Sequence, residues 1–325
     1  MPSASVIVAS RGPASRLRRL LDSLAIQTSS HEALVVDNAS RNGAVGSVCS
    51  DYAFAESIRL ERNAGFSVPV NLAASRASGD ALVLINDDCV CDPDFVERVV
   101  AALDPAAGVV MASSVMRDVA EPDLIDSAGM ELDRTLLVYD YMNGVPVADL
   151  ADGPPDPIGP SAAAAAFDRA AFMEVGGFDE RIFAYWEDVD LVLRLRRAGG
   201  SCRLARDAGG THEHSATLGS GSAAKNYLTG YGRGYVLRKW GVLSSPGRIA
   251  SVAARELVIV GGQAVIDHTA SGLRGRVRGW LAARPYAPFP ADLAAAGGGS
   301  PFFRNLARRL GRRRRLASRG NLTPS

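Results

Sequence analysis

The chain has 325 residues, 47% of them hydrophobic, with 33 glycines and 17 prolines, which places it among globular, enzyme-sized proteins and excludes disordered and fibrous classes. Its 36 basic and 35 acidic residues leave a formal charge of +1, which argues against a surface that wraps nucleic acid. Cys49, Cys89, Cys91 and Cys202 are too few for a disulfide framework, so reduced, buried thiols are expected.

In chain order, residues 6–9 read as a first strand, and Leu17, Leu20, Leu21 and Leu24 then recur on one helical face. Residues 34–36 and 57–60 read as further strands, 68–77 as a helix, and 81–85 as a fourth strand ending on Asn86-Asp87-Asp88. Asp92 is expected to cap the next helix, with Pro93 in its first turn. The alternation predicts an α/β fold with a mostly parallel sheet wrapped by helices. Ligands of such sheets bind beyond the carboxyl ends of the strands, where Asp37 and Asp88 fall.

Residues 118–160 carry Pro122, Pro146, Pro154, Pro155, Pro157 and Pro160 and read as an elaborated loop and hairpin region of the kind that shapes substrate sites. An Ala-rich strand at 162–167 and a helix near 169–175 follow, broken by Gly176-Gly177. Residues 187–198 form another helix, with Asp188, Leu191, Val192 and Leu195 on one face. Glu187 and Asp190 are expected to favour the helix dipole, and Asp190 to pair with Arg194 at i+4. From residue 221 the pattern is helical and basic, so a boundary near 220 separates a catalytic unit, 1–220, from a helical C-terminal region, 221–325. Gly297-Gly298-Gly299-Ser300 and the last fifteen or so residues read as flexible by composition.

Taken singly, the polar residues leave two readings open. Asn86 and Asp88 suit a divalent cation that prefers hard oxygen ligands, or are strand-end caps. Asp37-Asn38-Ala39-Ser40 is a ligand loop or only a turn. His212 by itself reads as a polar surface or satisfied core residue.

Together the segments resemble the family-two inverting glycosyltransferases of GT-A fold, especially the bacterial rhamnosyltransferase-like group. The resemblance spans about residues 4 to 240. It rests on Val6-Ile7-Val8-Ala9-Ser10-Arg11, Val35-Val36-Asp37-Asn38-Ala39-Ser40, Asn63-Ala64-Gly65-Phe66 with Asn71, Leu84-Ile85-Asn86-Asp87-Asp88, Gly176-Gly177-Phe178-Asp179-Glu180, and Glu187-Asp188-Val189-Asp190-Leu191 with Arg194, in that order.

The resemblance implies a GT-A domain with a C-terminal helical extension, a nucleotide-sugar donor with dTDP-rhamnose or a UDP-sugar favoured, and a glycan or lipid-linked glycan acceptor. By the same resemblance Ser10, Arg11, Asp37, Asn63, Gly65, Asn71, Asn86 and Asp87 line the nucleotide site. Asp88 and His212 hold Mg²⁺ or Mn²⁺, with His214 as the alternative if the alignment slips by two, and Asp188 is the general base. Two departures concern the acceptor: Ser161 followed by alanines at 162–166, and Tyr231-Gly232-Arg233 where the family has an Arg-Asn pair. A sugar nucleotidyltransferase would carry a Gly-rich, Arg-containing loop after the first strand, where only Arg11-Gly12-Pro13 stands. A glycoside hydrolase has no use for Asp37 or the strand-end cluster, and a non-catalytic scaffold has none for Asp88 and Asp188.

The chain enters the apolar run Val6-Ile7-Val8 without a basic leader, so a cytoplasmic protein is expected. The apolar run at 257–266 reads as too short to span a bilayer. The helical pattern at 273–281 and the arginines at 308–309 and 312–315 lead instead to an expected peripheral contact with the inner face of the membrane.

Overall fold

The computed structural model of the chain describes residues 3–213 and 221–289. Strand β1 (Ala4–Ser10) pairs in parallel with β2 (His31–Asn38) on one side and β4 (Ala81–Ile85) on the other, and β3 (Ala55–Leu60) extends the sheet beyond β2. Past β4 the direction changes. β10 (Ala164–Asp168) runs antiparallel to both β4 and β6 (Val109–Asp118), β11 (Ser201–His212) runs parallel to β6, and β5 (Cys89–Cys91) closes the edge antiparallel to β11. The order is β3-β2-β1-β4-β10-β6-β11-β5, with β7 (Ile125–Ser127) attached to β6; β8 (Met130–Leu132) and β9 (Val138–Asp140) make a separate hairpin.

Both faces of this sheet are covered, which is why β1 is apolar throughout rather than alternating. Val6 and Val8 join a cluster with Leu17, Leu20, Leu21 and Leu24 of α1 (Ala14–Ala25), together with α2 (Ala44–Cys49) and α4 (Phe95–Ala101). Each of those leucines contributes roughly 1.5–3 kcal/mol of burial. Ile7 points the other way, into a cluster shared with α3 (Ser67–Arg76), α5 (Arg169–Glu174), α6 (Glu187–Arg197) and α7 (Ala223–Lys239), whose Tyr235 and Val236 lie in the same core with the following Trp240. The four cysteines are free and buried, as their number implied.

Three expectations change. The helix after the acidic cluster begins at Phe95, and the Asp92 carboxylate caps nothing; it accepts a hydrogen bond from Arg117 of β6 at 2.6 Å. Strands β5 and β6 answer to no element expected from periodicity, because their mixed sequences are held by pairing with β10 and β11 rather than by local preference. The run at 257–266 is the second half of a longer helix, α8 (Pro246–Ile266), whose 21 residues, with a most apolar 18-residue stretch of mean hydropathy 1.6, make it long and apolar enough to cross a membrane by length and composition.

The last helix, α9 (Ser271–Ala282), meets α7 backbone to backbone. A Cβ on Gly234 would stand 2.0 Å from the Arg276 carbonyl, and one on Gly279 would stand 1.9 Å from that of Tyr231, so only glycine permits the approach.

Candidate active site

The carboxyl ends of β1 and β4 lie side by side because the strands are parallel, with Ile7 opposite Leu84. That register brings Ser10 to the acidic cluster, and its hydroxyl donates to Asp87 Oδ2 at 2.6 Å. Burial pushes Asp87 up to about 6; the Ser10 hydrogen bond opposes this and the Asp88 charge adds to it.

The antiparallel register of β11 with β5 sets His212 opposite Cys89, one residue from Asp88. His212 Nε2 lies 3.4 Å from Asp88 Oδ1, and its Nδ1 lies 2.9 Å from Oδ2 of the buried Asp126 on β7. Burial alone lowers the histidine's pKa, but the hydrogen bonds and charges of Asp126 and Asp88 outweigh it and push it up to about 9. Oδ1 of Asp88 is buried, and apart from His212 Nε2 at 3.4 Å it meets no hydrogen-bond partner among the described residues. An oxygen in that state beside an imidazole nitrogen suits a hard or borderline divalent cation, so the residues fit Mg²⁺ or Mn²⁺. The Cys89 sulfur lies within 4.8 Å of both ligand atoms, yet burial keeps its thiol protonated and its softness disfavours those ions.

Asp188 opens α6. Its Oδ1 accepts from the Val189 amide at 2.8 Å, and burial pushes it up to about 6, against the backbone amides and with the help of Asp140 at the end of β9. Glu187 beside it is buried, with Oε2 unpartnered; burial first and the Asp188 charge second push it up to about 8. Both causes favour its protonated form over that of an exposed glutamate at a helix start. The preceding residues, Tyr185 and Trp186, both adopt left-handed backbone conformations, φ +68° and +80°, a strained pair of the kind found where a site is held in place. The surroundings that hold it come from α7: a Cβ on Gly232 would lie 2.3 Å from the Tyr185 carbonyl, and the Arg233 guanidinium stacks over Trp186. Burial and the charges of Glu187 and Asp88 raise the Tyr185 phenol, which places its ring between the two halves of the site.

A small cavity of about 30 Å³ lies on the far side of His212 from Asp88, lined by Ser113, Asp126, Ser127, Asp140, Ser161 and His212 among others. Asp126, Asp140, Ser127 and Tyr185 carried no sequence signal as site residues. The first three sit in or beside the proline-rich segment, where only the expectation of a substrate-shaping loop pointed.

The remaining sequence-derived residues divide into two groups. Asp37, buried at the end of β2, accepts from the Ser40 amide at 2.7 Å and from Arg59 of β3, so any ligand there meets an Asp37–Arg59 pair. Asn86 lies at the cluster, its amide donating to the Ala163 carbonyl, and Arg11 is exposed just after β1. Asn63, Gly65 and Asn71 also make packing contacts: Asn63 accepts from the Gly65 amide, Gly65 abuts the Phe183 backbone, and the Asn71 amide group pins both N–H and C=O of Phe178. Asp190 forms the expected pair with Arg194 at 2.8 Å and more besides, since Lys239 and Trp240 converge on the same buried carboxylate. Arg233 is buried against Glu256 and two carbonyls, not solvated. His214 and the arginines of the tail lie outside the described residues.

Residues 5–141 match the model of glycosyl transferase family 2. The chain is 29% identical over 215 residues to the O-antigen biosynthesis protein RfbC of Myxococcus xanthus, a match covering 61% of this chain and 16% of that protein. A stretch of 31 residues is 68% identical to the N-acetylglucosaminyl-diphospho-decaprenol L-rhamnosyltransferase of Mycobacterium tuberculosis (strain ATCC 25618 / H37Rv), 10% of each chain. The chain thus spans a small part of the length of the curated relatives it matches. Among solved structures, GalNAc-T7 with UDP, GalNAc and Mn²⁺ superposes with a TM-score of 0.62 at 14% identity, covering 84% of this chain and 55% of that one, a likeness of fold. The strand-end acidic cluster, the matched family model and the shared fold agree: over residues 5–141 the chain is similar to the family 2 glycosyltransferases, and it resembles within them the rhamnosyltransferase-like group.

Proposed function

We propose that the protein is an inverting, metal-dependent glycosyltransferase that moves a sugar from a nucleoside diphosphate to a hydroxyl of a glycan or lipid-linked glycan. The observation that carries this reading is the buried Asp88 oxygen set against His212 Nε2 just past the carboxyl end of β4, beside the Ser10–Asp87 hydrogen bond.

In this reading Asp88 and His212 hold Mg²⁺ or Mn²⁺, which neutralises the charge developing on the departing diphosphate when bound. Asp126 holds the imidazole with Nε2 toward Asp88. Asp37 with Arg59 takes the base, Ser10 and Asp87 the ribose side, and Arg11 borders the entrance. The acceptor hydroxyl gives its proton to Asp188 as its oxygen bonds to the anomeric carbon. The bond from that carbon to the diphosphate oxygen breaks on the opposite face, which inverts the centre. A base so placed contributes roughly 10²–10⁴-fold in rate.

Our leading donor is dTDP-rhamnose, with UDP-sugars next, and the proposed place of work is the cytoplasm, on envelope polysaccharide; support comes from relatives named for L-rhamnosyl transfer and O-antigen biosynthesis. Residues 1–220 are the catalytic unit in this account and 221–325 its helical support. Release of nucleoside diphosphate from dTDP-rhamnose or UDP-sugars, assayed with Mn²⁺ and lipid-diphosphate acceptors, tests it. Metal-dependent release that Asp188→Asn abolishes is expected; turnover unaffected by Asp188→Asn would overturn the base assignment.

A further inference from the structure

Helix α8 is built inside out. Its inner stripe, Val252, Glu256, Ile259 and Gln263, follows helical spacing, and two of those four side chains are polar. Glu256 bridges Arg233 of α7 and Arg276 of α9, and Gln263 donates to Asn226. The apolar side chains face outward: Ile249, Leu257, Val258, Val265 and Ile266 are exposed, Leu257 to 75% and Val265 to 74%. Only 6% of the helix's most apolar window is buried. On α9, Leu273, Val277 and Leu281 recur every four residues along a second exposed line, Leu281 at 70%.

The charges around these apolar lines have one sign. Arg274 and Arg278 accompany the α9 line one residue on, and Arg284 follows it; all three are exposed. The acidic groups of α8 and the turn after it are already engaged, Glu256 with its two arginines and Asp267 with Asn226. Residues 290–325 add eight arginines against the single Asp292. A surface of this kind repels the chain's own basic tail, and it would repel a second copy of itself. It matches a plane that is apolar below and anionic above.

We propose that the outer face of α8 and α9 docks on an anionic phospholipid surface, with α8 lying in the interface and not crossing it. The orientation follows from the middle of the helix. Glu256 is tied to α7 and α9, and Arg255 lies 3.1 Å from Asp133 beside the β8–β9 hairpin, so crossing would tear those ion pairs from the catalytic unit. Because α7 also supports Tyr185 and Trp186 through Gly232 and Arg233, the docked face and the Asp188 turn belong to one packed unit. The proposal does not depend on the transferase reading, and its test uses no turnover.

The full chain is floated with vesicles of phosphatidylglycerol and phosphatidylcholine, and with phosphatidylcholine alone. Co-flotation with the anionic vesicles is expected, weakening as salt is raised. Leu257→Glu/Val265→Glu and Leu273→Glu/Leu281→Glu lie on exposed positions, so circular dichroism should match the wild type while vesicle binding falls roughly tenfold or more. Arg274→Gln/Arg278→Gln should remove the preference for anionic lipid. Equal binding by the glutamate variants would overturn the proposal, as would loss of binding only when Arg312 to Arg315 are changed to glutamine, which would assign the contact to the tail. A dimer that the glutamate variants dissociate, without vesicle binding by the wild type, would assign the face to self-association and overturn it likewise.

Discussion

His212 Nδ1 lies 2.9 Å from Asp126 Oδ2, a contact that joins the end of β11 to a strand 86 residues earlier in the chain. It fixes which nitrogen faces Asp88. A carboxylate behind a ligating imidazole both orients the ring and raises its basicity, and losing it typically costs about 10–100-fold in metal affinity. Asp126→Asn should therefore weaken Mn²⁺ binding by about that factor, read by titration calorimetry in the presence of nucleoside diphosphate. Unchanged Mn²⁺ affinity in a well-folded Asp126→Asn protein would reduce the contact to packing.

Asp188 gives a paired prediction. The ionised carboxylate is the competent base, and burial raises its pKa in the folded protein from the usual aspartate value of 3.8 to about 6. kcat/KM should fall as pH drops through about 6. The sign for stability is opposite to that of a salt-bridged acid: the folded state holds the proton more tightly than the unfolded state, so stability is lost as pH rises from 3.8 through about 6. Asp188→Asn should be inactive yet melt higher than the wild type at pH 8, with the gap closing in acid. Thermal melts across that range would show it.

Gly232→Ala tests whether α7 holds the catalytic turn. The added methyl would meet the Tyr185 carbonyl at 2.3 Å and the Trp186 side chain at 2.8 Å, so the strained pair before Glu187 must shift. A displacement on the order of 1 Å at a reacting group can cost about 10²-fold, so kcat should fall by roughly that order with little change in donor affinity. Gly247→Ala, where a Cβ meets nothing within 4 Å, is the control and should leave kcat unaltered.

Lys239 lies 2.7 Å from Asp179 and 2.9 Å from Asp190, which has no solvent exposure. Lys239→Met takes a buried cation from both carboxylates, and because Asp190 keeps Arg194 and Trp240 and Asp179 keeps Tyr235, the loss should fall toward the low end of the about 3–5 kcal/mol that a broken buried pair costs. Arg18→Ala, which removes an exposed pair with Asp51, should cost far less. Urea denaturation of both variants compares the two environments directly.

The parallel half of the sheet was legible because β1, β2 and β4 carry the unbroken apolar runs 6–9, 33–36 and 81–85 and helix α1 repeats leucine at three and four. The antiparallel half was not. β5 is three residues long, and β6 and β11 carry Ser, Arg and Gly that only pairing holds extended. The same division runs through the site. Asp88 and Asp188 stand in ordered motifs, so the family resemblance reached them, whereas Asp126 and Asp140 are single acids in a proline-rich segment that no spacing connects to His212. Asn71 and Gly65 share those motifs and also close α3 onto residues 177–183. The outward apolar face of α8 was hidden because Arg255 and Glu256 interrupt the run in sequence, while in space both turn toward the protein.

The central claim is that Asp88 and His212 bind a divalent cation that in turn binds a nucleoside diphosphate. Calorimetric titration of dTDP, UDP and GDP into the protein, with and without Mn²⁺, tests it most directly and needs no acceptor. The account predicts that one of these diphosphates binds only with Mn²⁺ present and that Asp88→Ala abolishes the effect. Binding that is indifferent to Mn²⁺, or equal in Asp88→Ala, would contradict it.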